Sequence, residues 1–132
     1  MALDRVFDAG TLRSLREAVL GEAAAAGMPS DRAADVMLAV HELAANAVRH
    51  GAGAGRLAMR VSDGRLYCQV SDVGPAGDTR ADEAAVAAAT RPWRVERGHG
   101  LWIVHTAADQ FSVASGPTGF RVTAVFILPG PP

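Results

Sequence analysis

Glu42-Leu-Ala-Ala-Asn46-Ala-Val-Arg-His50-Gly51 is the stretch on which the reading of this 132-residue chain turns. It closes a segment, Ser30 to about Arg49, in which Ala33, Met37, Val40, Leu43, Ala44, Ala47 and Val48 recur at helical spacing. Ser30 is the expected N-cap, and the glycines from Gly51 to Gly55 are the expected stop. Glu42 and Asn46 are four residues apart, so they project from one face of that helix about a turn from each other. Ala39, Ala45 and Ala47 beside them leave room for an approaching group. A solvated helix face would also carry two polar residues, and taken alone the pair favours that plainer reading.

Upstream, Leu12, Leu15, Val19, Leu20 and Ala23 predict a helix over Thr11 to Ala26 ending at Gly27, and Leu3 to Phe7 suits a short edge strand. Downstream the period changes to two. Leu57, Met59 and Val61 alternate with polar or small residues, then Asp63-Gly64 marks a tight hairpin, then Leu66, Cys68 and Val70 alternate again. A second hairpin is expected from Phe111 to Ser115 and Phe120 to Leu128 around Gly116-Pro-Thr-Gly119. Phe120, Val122, Ala124, Phe126 and Leu128 share one side of its second strand. A short helix, Leu101 to Ala108, precedes it, and Pro129-Gly-Pro-Pro132 reads as a frayed tail. Helices covering one face of an antiparallel or mixed sheet make a two-layer α+β sandwich, here a single domain spanning residues 1–132.

Two further polar features stand out. Strand parity puts Asp72 on the same side as Leu66, Cys68 and Val70, where a carboxylate needs a hydrogen-bond donor. A turn or helix cap at Asp72-Val-Gly74-Pro75 would supply one, and so would the exocyclic amine of a purine. Gly98-His99-Gly100-Leu101 opens an apolar helix. Its free N–H groups suit an anion, although glycines at a helix start also serve packing.

Composition narrows the chemistry. The chain has 13 basic residues, all arginine, against 14 acidic ones, a net charge of −1, and 27 alanines. Near-neutral charge argues against direct nucleic-acid binding, which needs a basic stripe. Without lysine there is neither a Walker-type phosphate loop nor a Schiff-base nucleophile. Cys68 is the lone cysteine, so an internal disulfide and a multi-cysteine metal site are excluded, and it reads as a core residue. No apolar run approaches membrane-spanning length and no leader-like segment opens the chain, so a cytoplasmic location is expected.

In order and spacing the three polar features resemble the N, G1 and G2 boxes of the GHKL (Bergerat-fold) ATP-binding superfamily. Glu42-Leu-x-x-Asn46-Ala-x-x-His50-Gly51 is the most specific of them and looks most like the bacterial anti-sigma factor serine/threonine kinases. The resemblance covers roughly residues 10 to 128. It implies ATP and Mg²⁺ as cofactors, with Asn46 as the metal ligand and Glu42 as the catalytic base toward a substrate hydroxyl. Asp72 would take the adenine amino group, with Gly74 giving the base room, and Gly98, His99, Gly100 and Leu101 would cradle the phosphates. Residues 74–98 would form the lid, with Arg91, Arg94 and Arg97 as its cations. His50 is expected to cap its helix, and His41 and His105 to be packing or surface residues. The implied partners are a sigma factor and its anti-anti-sigma antagonist, with a homodimer possible. Leu12, Arg13, Arg16 and Glu17 are candidate contacts. A non-catalytic ATP-binding interaction module is the alternative.

Overall fold

A computed structural model describes residues 2–50, 53–72, 99–116 and 119–130. Strand β1, Ala2–Asp8, runs through a 3-10 turn, Ala9–Thr11, into helix α1, Leu12–Ala25. Asp8 and Thr11 form a reciprocal capping box there, with the Asp8 carboxylate accepting from the Gly10 N–H at 2.9 Å. The expected single helix from Thr11 therefore begins one residue later, after this turn. Its end at Gly27 matches the expectation, and the Met28 N–H reaches back to the Ala23 carbonyl at 3.1 Å.

Helix α2, Ser30–His50, starts one residue before the expected position. The Ala33 N–H donates to the Pro29 carbonyl at 2.8 Å, so Ser30 is already helical and Pro29 holds the cap position. Strands β2, Ala54–Ser62, and β3, Arg65–Asp72, form the first hairpin. Asp63 and Gly64 turn it with φ of 51° and 73°, the pair of left-handed residues that matches strand twist in a two-residue loop. Helix α3, His99–Ala107, precedes the second hairpin, β4, Gln110–Gly116, with β5, Gly119–Ile127.

The five strands form one sheet in the order β1-β2-β3-β5-β4, and every pairing is antiparallel, which resolves the choice between an antiparallel and a mixed sheet. Helix α2 is the centre of the helical layer. It packs against α1 on one side, α3 on another, and β2, β3 and β5 beneath. Val36, Val40, Leu43 and Ala44 from α2 meet Leu57, Leu66, Cys68, Val122 and Phe126 from the sheet in one buried cluster. Among the described residues no polar or charged side chain is buried in it. The alternation expected for β3 is what the burial pattern shows, whereas in β2 it holds at Leu57 and Met59 but Val61 is exposed, and in β5 Val125 is buried along with Val122, Ala124 and Phe126. Leu20 departs from expectation: it is 38% exposed, because Leu15, Val19 and Ala23 already fill the inner stripe of α1.

Two long-range features stand out, one between the layers and one within the sheet. Arg32, near the start of α2, donates to Asp35 at 2.9 Å, to the Ala107 carbonyl at the end of α3 at 3.2 Å, and to Asp109 at 3.2 Å. Its guanidinium also lies 5.7 Å from the centre of the Phe126 ring, and Asp109 accepts the Ile127 N–H at 2.7 Å. One side chain thus joins α2, α3 and the end of β5.

Gly55 is the second feature. The sequence places it in the helix stop, but it is a buried core-facing residue of β2, opposite Phe7 on one side and Asp72 on the other. A Cβ there would lie 2.5 Å from Phe7 Cζ and 2.7 Å from the Ser71 carbonyl oxygen. Glycine is therefore required for space.

Replacing Arg32 with alanine should lower stability by about 1 kcal/mol, since its side chain is partly solvated, and should shift the urea midpoint without changing the slope. Gly55→Ala should be worse, by about 2–3 kcal/mol in the same measurement, because backbone as well as a ring must yield.

Candidate functional site

The site is built on α2. Asn46 follows Glu42 by one helical turn, and Arg49 continues the same stripe. Glu42 and Asn46 are both half-buried, while Arg49 is exposed. The Arg49 guanidinium donates to Asn46 Oδ1 at 2.9 Å. That oxygen is the atom the sequence reading assigns to metal coordination.

Asp72 is the last residue of β3, half-buried and in register opposite Gly55. Alternation with Leu66, Cys68 and Val70, all buried, puts it on the sheet face that α2 covers, as strand parity predicts. The row Phe7, Gly55, Asp72 crosses three strands at this end of the sheet. Gly55 belongs to the site's framework, and sequence reasoning missed it there. The signal available was the apolar alternation of β2, which extends back through Gly55 to Ala54 once the strand is started earlier.

His99, Gly100 and Leu101 form the first turn of α3, two residues earlier than the sequence reading starts that helix. Gly100 is thus within the helix rather than before it. The N–H groups of a first turn have no partner within the helix, which is the property the phosphate reading needs. α3 packs directly on α2, so this turn belongs to an element locked to the one that bears Glu42 and Asn46. Gly74, Gly98, the expected lid 74–98 and its Arg91, Arg94 and Arg97 lie outside the described residues.

The remaining polar candidates sort by position. His41 is half-buried and meets α1, with Nδ1 3.5 Å from an Arg16 guanidinium nitrogen. His105 is exposed and packs edge-on against Phe111, ring centres 5.6 Å apart. Arg13 and Glu17 are exposed on α1, whereas Leu12 and Arg16 are half-buried. Cys68 is a core residue, as expected, and burial pushes its thiol up to about 12. Among the described residues no three His, Cys, Asp or Glu side chains gather in a metal-binding group. No described helix is long and apolar enough to cross a membrane.

The model of the histidine kinase-like ATPase domain matches residues 6–126, nearly the whole chain. This chain belongs to that family. It is a GHKL protein with the α+β fold of that superfamily, and ATP is the ligand that membership implies. No curated protein matches it in sequence. Among solved structures, it resembles a chain of the SiaB–SiaC complex from Pseudomonas aeruginosa. The TM-score is 0.73 at 15% identity, covering 96% of this chain and 88% of that one. A mycobacterial sensor histidine kinase, MprB, aligns with a TM-score of 0.49 and 15% identity over 95% of this chain and 97% of that one.

The Cys68 environment makes one firm chemical prediction for this GHKL chain. A neutral thiol in a closed core does not react, so labelling with a maleimide at pH 8 should proceed at the rate of unfolding and rise with added urea. Rapid labelling of the native protein would contradict the burial.

Proposed function

We propose that this GHKL domain, residues 1–132 taken as one unit, is an ATP-dependent serine/threonine kinase of the anti-sigma type. It would bind a sigma factor and phosphorylate the protein antagonist that competes for it. The observation that carries the reading is the stripe on α2: a half-buried carboxylate and a half-buried amide one turn apart, on a helix that packs on β3, the strand that ends at Asp72.

Each residue has a defined part. Asp72 accepts a hydrogen bond from the adenine amino group, which discriminates against bases that lack that donor. The first turn of α3 offers N–H groups to the phosphates, with Gly74 and Gly98 completing the nucleotide site. Glu42 takes the proton from the substrate hydroxyl as its oxygen bonds to the γ-phosphorus and the bond to ADP breaks. Asn46 supplies an amide oxygen suited to Mg²⁺. A hard cation of this kind commonly keeps waters and would need little more from the protein. Bound there, Mg²⁺ would neutralise charge on the phosphates.

A protein partner is supported by the fold neighbour, which was solved within a complex of two named proteins. Exposed Arg13 and Glu17, with half-buried Leu12 and Arg16, are the residues we assign to partner contact on α1. A homodimer and a cytoplasmic setting fit the same family reading. Loss of the transfer step would leave a nucleotide-gated interaction module.

Calorimetry with Mg-ATP tests the site first. Asp72→Asn and Asn46→Ala should each weaken binding by roughly tenfold or more. Glu42→Gln should bind ATP within about threefold of wild type yet lose about a hundredfold in phosphotransfer to an antagonist protein. No ATP binding at millimolar nucleotide would sink the reading, ATP binding without phosphotransfer by the wild type would leave the module, and unchanged phosphotransfer in Glu42→Gln would remove Glu42 as the base.

A further inference from the structure

The contact between Arg49 and Asn46 places a cation on the one atom that the nucleotide site reserves for another. We propose that Arg49 is a placeholder that sets the metal requirement of nucleotide binding: it holds Asn46 Oδ1 in the free protein and must leave before Mg²⁺ can use that oxygen. The inference rests on the assignment of Asn46 given above and extends it to a residue that neither the base nor the phosphate-binding motifs include.

Three observations support it. The guanidinium nitrogen lies 2.9 Å from Oδ1, full hydrogen-bonding distance, and the two residues are three apart on one helix, so the contact is built into α2. Asn46 is half-buried whereas Arg49 is exposed, so the arginine is the partner free to swing into water. The charges also conflict: a guanidinium donating to an amide oxygen repels a divalent ion on the same oxygen and lowers that oxygen's capacity as a ligand. In the free protein the contact also gives Oδ1 a partner on the stripe shared with Glu42.

The test uses the full chain, ADP and MgCl₂, with nucleotide affinity as the readout. Arg49→Ala should tighten ADP binding in saturating MgCl₂ by about two- to fivefold, the range an exposed hydrogen bond is worth, and should give no tightening in EDTA. Arg49→Gln, which keeps a donor without the charge, should fall between wild type and Arg49→Ala. Asn46→Ala should bind ADP almost equally with and without Mg²⁺. If Asn46→Ala loses its metal dependence while Arg49→Ala binds ADP no tighter in MgCl₂, the placeholder role is overturned and the Asn46 assignment survives. If Asn46→Ala keeps the wild-type metal dependence, the assignment fails and the inference falls with it.

Discussion

The seating of α2 is the constraint from which the rest follows. A helix packed by α1 and α3 and laid over three strands cannot rotate about its axis without exposing Val36, Val40 and Leu43 together. Each such side chain is worth about 1.5–3 kcal/mol when buried, so a rotation would forfeit several kcal/mol. Fixing the apolar stripe also fixes the polar one. Glu42, Asn46 and Arg49 leave the helix on one stripe, and the small residues around them, Ala39 and Ala47, are buried rather than projecting across it. Precision at the site is a by-product of ordinary core packing.

A helix held only on its axis could still slide or tilt, and the structure opposes this near its start. Near the N-terminus of α2, Arg32 ties it to the last turn of α3 and, through Asp109, to the end of β5. Within the sheet, the space left by Gly55 admits the Phe7 ring over β2, so that the edge strand closes on the row that ends at Asp72. The edge strand is also held on the opposite face by Arg56, whose guanidinium hydrogen-bonds Asp4 at 2.7 and 2.6 Å. That hydrogen bond, more than charge attraction, holds the Asp4 carboxyl below its ordinary pKa.

What was legible in the sequence was local or periodic. The Asp63-Gly64 turn fixed a hairpin register, and the register settled the direction of Asp72 several residues later. The α2 stripe was equally plain, because period 3.6 over 21 residues leaves little ambiguity. Arg32 and Gly55 were opaque for a common reason: their partners are far away in sequence, 75 and 77 residues for Arg32 and 48 for Gly55 with Phe7. An arginine in a first helical turn and a glycine after a helix each have a sufficient local explanation, which hid the tertiary one. Leu20 failed in the opposite sense. It fits the helical period, but a helix needs only a narrow inner stripe, and three other residues already supply it.

The lysine-free composition acquires a physical meaning in this setting. Backbone N–H groups at the start of α3 carry no formal charge and cannot be read from net charge, so a neutral chain is compatible with phosphate binding. Arginine, where it occurs near the site, behaves differently from lysine: its planar fork can hold a neutral amide oxygen in a defined direction, as Arg49 does with Asn46. A lysine at that position would present a more strongly hydrated point charge with less directional demand. On the proposed assignment of Mg²⁺ to Asn46, the side chain that bonds that amide in the free protein is also the one whose charge would oppose the metal ion there. The free-state contact and the proposed competition would then be the same 2.9 Å interaction, so one would not be strengthened without the other.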